Sequence, residues 1–150
     1  MDNRILIAED EARLREVLCD YFLSKGEMPV AAENGAKALA LAEEESFDAV
    51  LLDIMMPELD GFSVCRALRR RQEVPIIFLT ALSAEEDKLL GYELGADDYV
   101  TKPFTMSVLY AKAMALIKRS RGTVRTGTGW RAAVLYWIWL PSGYGRESRR

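Results

Sequence analysis

The chain has 150 residues, half of them hydrophobic, enough to bury roughly two-thirds of its unfolded surface around one core. Histidine is absent, which removes imidazole as base or metal ligand and leaves oxygen donors, suited to hard cations such as magnesium, manganese or calcium. Residues 1–118 carry 13 basic and 22 acidic side chains, net −9, against 7 and 1, net +6, in residues 119–150; the acidic body argues against nucleic-acid binding by the domain itself. No leader peptide precedes the first strand and no apolar run approaches the roughly 20 residues of a membrane-spanning helix, so a soluble, cytoplasmic protein is expected. Cys19 and Cys65 lack Cys-x-x-Cys spacing and read as buried thiols of a reducing compartment.

Residues 4–8 form a short apolar strand that delivers Glu9, Asp10 and Glu11 at its carboxyl end. Over 12–25, Leu14, Val17, Leu18, Tyr21 and Phe22 recur at helical spacing, and Gly26 is a natural stop. A second strand spans 28–32, and Asn34-Gly35 turns the chain into a helix over 36–45 whose apolar face is Ala38, Leu39 and Ala42. Residues 49–57 read Ala-Val-Leu-Leu-Asp-Ile-Met-Met-Pro without alternation, which predicts a strand covered on both faces. Asp53 interrupts it. An ionised carboxylate inside such a core costs several kcal/mol unless paired or metal-bound, so Asp53 belongs where the strand emerges; the plainer alternative is that it only orders the following turn.

Asp60-Gly61 ends the next loop, and Phe62, Val64, Cys65 and Leu68 give a third helix. It closes on Arg69, Arg70 and Arg71, which read as a complement to the helix dipole and a solubilising patch, in preference to a docking site. A fourth strand over 75–79 ends in Thr80-Ala81, and a fourth helix over 84–94 is stopped by Gly95. A short fifth strand over 97–100 leads through Thr101-Lys102-Pro103-Phe104 to Thr105, the N-cap of a last helix reaching residue 119.

Five alternations of strand and helix predict an α/β fold: a doubly wound five-stranded parallel sheet of order 2-1-3-4-5, the flavodoxin-like (βα)5 arrangement. The polar strand ends then converge, with Glu9 and Asp10 after strand one, Asp53 at strand three, Thr80 at strand four and Lys102 after strand five. Strands one and three are neighbours, which brings Asp10 beside Asp53; a divalent cation between them and Lys102 as further partner let both stay ionised. Cation, lysine and hydroxyl around a carboxylate suit a phosphoryl group, with Asp53 as nucleophile. A structural salt-bridge cluster is the plain alternative.

Glu9-Asp10, Asp53-Ile-Met-Met-Pro, Thr80-Ala81, Gly95-Ala-Asp-Asp-Tyr99 and Lys102-Pro103-Phe104 together resemble the receiver domain of bacterial two-component response regulators over residues 3–119, in particular the OmpR/PhoB-like branch of transcriptional regulators. The resemblance implies that Asp53 accepts a phosphoryl group from a sensor histidine kinase, with Mg2+ held by Asp10, Asp53 and the Met55 backbone carbonyl. Glu9, standing where the family often has Asp, would hold a metal-bound water. Thr80 and Lys102 would bond the phosphoryl oxygens, and a cis bond before Pro103 is expected. Tyr99 takes the aromatic switch position, rotating inward as Thr80 is drawn to the phosphoryl group; the plain alternative is an ordinary strand aromatic. Dimerisation is implied through the fourth helix, fifth strand and last helix, at Lys88, Asp97, Asp98, Lys112 and Arg119. Isolated surface charges contribute under about 1 kcal/mol each, so only a network of them sets partner choice.

Phosphorylation of Asp53 and its hydrolysis are self-modification, so the protein is not expected to be an enzyme. A stand-alone receiver acting through protein–protein contact is the alternative output. A haloacid-dehalogenase-like phosphatase would show Asp-x-Asp where position 55 is Met, and a flavin carrier would need a phosphate loop after strand one. Met55 and Leu82 flank the approach of a hydrolytic water and cannot bond it, which predicts a persistent phosphoryl group. The receiver is expected over 1–121, followed by a linker and an atypical tail over 122–150 in place of a complete DNA-binding domain. Residues 122–129 are Gly/Thr-rich, and 130–140 hold all three tryptophans in an apolar run with no polar face. The abrupt change reads as non-native sequence from a frameshift or an artificial junction; packing on the domain or against another chain is the alternative.

Overall fold

The structure, a computed structural model, describes residues 2–81, 89–90 and 92–123. Its elements are β1 (Arg4–Ala8), α1 (Ala12–Ser24), β2 (Met28–Ala32), α2 (Gly35–Glu44), β3 (Ala49–Asp53), α3 (Gly61–Arg69), β4 (Ile76–Thr80), β5 (Asp98–Thr101) and α4 (Met106–Thr123). Leu89, Leu90, Tyr92 and Glu93 are helical and fall within the fourth helix expected over 84–94. Leu82, Lys88 and the tail beyond residue 123 lie outside the described residues. No described helix is long and apolar enough to cross a membrane.

The five strands are parallel in the order β2-β1-β3-β4-β5, a flavodoxin-like sheet. Every residue of β3 and β4 is buried, as their unalternating apolar runs require when both faces are covered. Alternate residues then serve two layers. Leu6, Val50, Leu52, Ile76 and Phe78 pack with Ala38 and Ala42 of α2 and Val64, Cys65 and Leu68 of α3. Ile5, Ile7, Leu51, Ile77 and Leu79 pack with Leu18 and Phe22 of α1 and Leu109, Ala113, Leu116 and Ile117 of α4. Fully burying one such large side chain contributes about 1.5–3 kcal/mol. Val17 is 42% exposed, outside the apolar face expected of it, because it lies one residue and about 100° around the helix from Leu18.

Two helices start one residue earlier than the periodicity predicts, since side-chain caps fix them. Asn34 Oδ1 accepts from Lys37 N at 2.8 Å and Asp60 Oδ1 from Ser63 N at 2.8 Å, which makes Gly35 and Gly61 the first helical residues. Both glycines are required by close approach. A Cβ on Gly35 would sit 1.7 Å from Leu59 O, and one on Gly61 would sit 2.4 Å from Asp53 O. Gly61 thus seats the start of α3 against the end of β3. Gly61→Ala is expected to lower stability by about 1–3 kcal/mol, read as a reduced urea midpoint, because neither backbone can yield without moving Asp53. An unchanged midpoint would show that the contact is not constraining.

The arginine triplet and Asp97 need correction. Arg69 is a largely enclosed clamp: its Nε donates to Gly95 O (2.8 Å), Nη1 to Val74 O (2.6 Å) and Nη2 to Asp97 Oδ2 (2.8 Å). Asp97 Oδ2 also accepts from Ile76 N at 2.9 Å. Asp97 is therefore committed to the amino-terminal ends of β4 and β5 and does not present a charge at a surface interface. Arg71 keeps the surface role, 3.7 Å from Glu43. Cys65 is buried, but Cys19 is only partly so, and burial still pushes its thiol pKa up.

Candidate functional site

The carboxyl ends of β1, β3 and β4 and the segment after β5 meet at one sheet edge. The register fixes this: Ala8 pairs with Leu52, Asp53 with Leu79, and Thr80 with Thr101. Glu9 is fully buried, Asp53 nearly so, and Asp10 is exposed. These three residues each offer a carboxylate oxygen within 4.8 Å of the others. Lys102 enters from the far side, its Nζ 3.0 Å from Glu9 Oε1 and 3.4 Å from Asp53 Oδ2. Its backbone is tied to β4 by Lys102 N donating to Thr80 O at 2.7 Å, and the Lys102–Pro103 bond is cis, as expected.

Two buried carboxyl groups, Glu9 and Asp53, thus share one ammonium, with the Asp10 carboxylate beside them. The Asp53 pKa is pushed up to about 7, first by burial and then by the Glu9 carboxylate, with Lys102 opposing both. Burial alone would lower the Lys102 pKa, but bonding to Glu9 and the charges of Asp53 and Glu9 outweigh it and raise it. Glu9 Oε2 accepts from Glu11 N at 3.1 Å; Oε1, wholly buried, has Lys102 as ionic neighbour but no aligned hydrogen-bond donor among the described residues. A buried Glu9 carboxylate with one oxygen short of a donor, and one carboxylate oxygen each from Glu9, Asp10 and Asp53 within 4.8 Å of one another, fit a hard divalent cation. Oxygens on opposite sides of magnesium lie about 4 Å apart.

Asp53 also makes the bond that the plainer alternative required, Oδ1 accepting from Met55 N at 3.3 Å. The two roles are compatible, because Oδ2 is the atom facing Lys102. The Met55 side chain is 62% exposed and, with Asp10, Ile54, Met56, Asp60 and Phe62, lines a cleft of about 550 Å³ beside the carboxylates. Thr80 is fully buried at the end of β4. Tyr99 is buried as well, its ring edge-on to Phe78 with centroids 6.1 Å apart; Phe78 in turn meets Phe62 at 5.3 Å. Asp98 and Lys112 pair within the chain at 3.1 Å.

Arg15, which the motif pattern passed over, belongs to this edge. Its Nη1 donates to Glu9 O at 2.7 Å and lies 3.4 Å from Asp10 O. The available signal is a basic residue in the first turns of the helix that follows an acidic strand end. The buried carboxylate of Glu27 lies at the opposite sheet edge, held by Asn3 N (2.9 Å) and Tyr110 OH (2.7 Å).

A family model described as response regulator receiver domain matches residues 5–114. The probable transcriptional regulator ycf27 of Guillardia theta is 46% identical over 118 residues, covering 79% of this chain and 46% of that protein. Transcriptional activator protein PfeR of Pseudomonas aeruginosa is 44% identical over 118 residues, covering 79% of this chain and 39% of PfeR. The chain therefore spans about half the length, or less, of these curated relatives. Among solved structures, the receiver domain of Francisella response regulator 1452 is similar at a TM-score of 0.76 and 34% identity, covering 79% of this chain and 99% of that one.

Proposed function

Since this chain belongs to the response regulator receiver domain family, we propose that it is the phosphoacceptor of a cytoplasmic two-component system, with Asp53 taking a phosphoryl group from a sensor histidine kinase. The observation that carries this reading is the setting of Asp53, buried at the end of β3 with Lys102 Nζ at 3.4 Å and the Glu9 and Asp10 oxygens within 4.8 Å. An Asp53 carboxylate oxygen attacks the phosphorus; the P–N bond to the kinase imidazole breaks, and its electron pair leaves on the imidazole. Asp10, Asp53 and the Met55 carbonyl would hold Mg2+ directly, and Glu9 a water on it. Bound there, the cation supplies charge neutralisation for the transferring group. Lys102 and Thr80 serve as donors to the phosphoryl oxygens. The only covalent change is on the protein itself, so it is read as a switch and not an enzyme.

The receiver is proposed to span 1–121, with 122–150 carrying no part of the site. By analogy with its relatives, output is proposed to be transcriptional, through dimerisation on the β5–α4 face at Asp98, Lys112 and Arg119 together with Lys88, which lies outside the described residues. Asp97 is left out because it clamps Arg69. Incubating the protein with acetyl phosphate and Mg2+ and locating the modified residue by mass spectrometry tests the reading; a phosphoryl group elsewhere, or none, overturns it.

Asp10→Asn is expected to raise the magnesium concentration needed for half-maximal phosphorylation by about tenfold or more, since an anionic donor is lost while the nucleophile stays. An unchanged magnesium requirement would remove Asp10 from the cation site.

A further inference from the structure

We propose that Arg15 is a positioning residue for the cation-binding end of β1: by holding the backbone carbonyls of Glu9 and Asp10, its guanidinium fixes where their carboxylates point. The inference rests on the reading of this edge as a magnesium site. The last strand pairs of β1 are at Ala8, so Glu9 and Asp10 lie past the regular ladder, where backbone direction is set by individual bonds. Glu9 N donates to Ala32 O at 3.1 Å, which anchors one side of the peptide. On the other side Arg15 Nη1 donates to Glu9 O at 2.7 Å and approaches Asp10 O at 3.4 Å.

Arg15 can do this because it is built into the helix that starts immediately after. Arg15 N donates to Glu11 O at 2.9 Å, closing the first turn, and the N-cap Glu11 makes no side-chain cap bond. The guanidinium thus spans from α1 back across the β1–α1 turn and fastens the two residues that carry the carboxylates. Groups of this kind, which touch the ligands and not the ion, typically change metal affinity 10–100-fold when removed. A planar fork with several donors can serve two neighbouring carbonyls; a lysine ammonium on a flexible stem holds them less rigidly.

The test is Mg2+ binding to the full, unphosphorylated chain by isothermal titration calorimetry, with the magnesium dependence of phosphorylation by acetyl phosphate as second readout. Arg15→Met is expected to raise the Mg2+ dissociation constant about tenfold, with the phosphorylation rate at saturating Mg2+ within about twofold of wild type. Arg15→Lys should fall between the two, and it keeps the question open to measurement if the methionine variant does not fold. An Mg2+ affinity within twofold of wild type in the variants overturns the proposal, as does a rate deficit that saturating Mg2+ does not repair. A wild-type chain that binds no Mg2+ would instead overturn the function proposed for the site.

Discussion

Asp53→Asn is expected to abolish phosphoryl acceptance completely and, in EDTA at pH 8, to make the protein more stable than the wild type. The first effect follows from removing the nucleophilic oxygen. The second follows from the Asp53 pKa, which rises from an ordinary 3.8 to about 7 in the fold because of burial and the neighbouring Glu9 carboxylate. Between those two values the folded chain holds a proton that the unfolded chain has released. Stability therefore falls as pH rises through that window, and this one group's share of the loss is complete above about pH 7. Asparagine keeps the shape without the ionisation. The gain should be absent near pH 3 and reach on the order of 2–4 kcal/mol at pH 8, at about 1.4 kcal/mol per pKa unit. Urea unfolding at the two pH values measures it. Adding Mg2+ should reverse the order, because a cation between the carboxylates stabilises the wild type and finds one ligand fewer in the variant. A variant no more stable than wild type at pH 8 would show that Asp53 is not held against its own charge.

Arg69→Leu carries the largest expected loss of stability, about 3–5 kcal/mol, because it strands the Asp97 carboxylate inside the fold. Both side chains are almost wholly enclosed, at 10% and 4% exposure. Leucine also leaves the carbonyls of Gly95 and Val74 without the donors they now have. Adding Asp97→Asn should recover part of the loss, since asparagine can still accept from Ile76 N without a buried charge. A single variant with an unaltered urea midpoint would mean the pair is solvated. The effect should reach function, because Asp97 directly precedes the strand that carries Tyr99 and leads to Lys102.

What could be read from the amino-acid order was whatever depended on long apolar runs. The unalternating segment around Val50 to Leu52 can only be a doubly covered strand, and once five such strands are ordered, Glu9, Asp10, Asp53, Thr80 and Lys102 must share an edge. Side chains that turn away from their apparent class were not legible. Three consecutive arginines look alike on paper, yet Arg69 alone follows Cys65 by four residues and so continues the buried stripe of α3. That spacing was the available clue. For Asp97 there was none, because its partner is 28 residues away and the pair is decided by how a loop crosses the end of β4. Arg15 bonds main-chain atoms, which residue types do not announce, so its sign in the sequence was no more than a basic residue in the first turns of the helix after an acidic strand end.

The aromatic file from Phe62 through Phe78 to Tyr99 links the first turn of α3 to β5 across β4 by two edge-on ring contacts, at 5.3 and 6.1 Å. If Tyr99 is the moving part of a switch, turning its ring out of this file forfeits an aromatic contact of about 0.5–1.5 kcal/mol, and the leverage of a phosphoryl group on it is limited to the free-energy difference between the two ring positions. The grip of Phe78 on the tyrosine then acts as a threshold that any signal has to exceed.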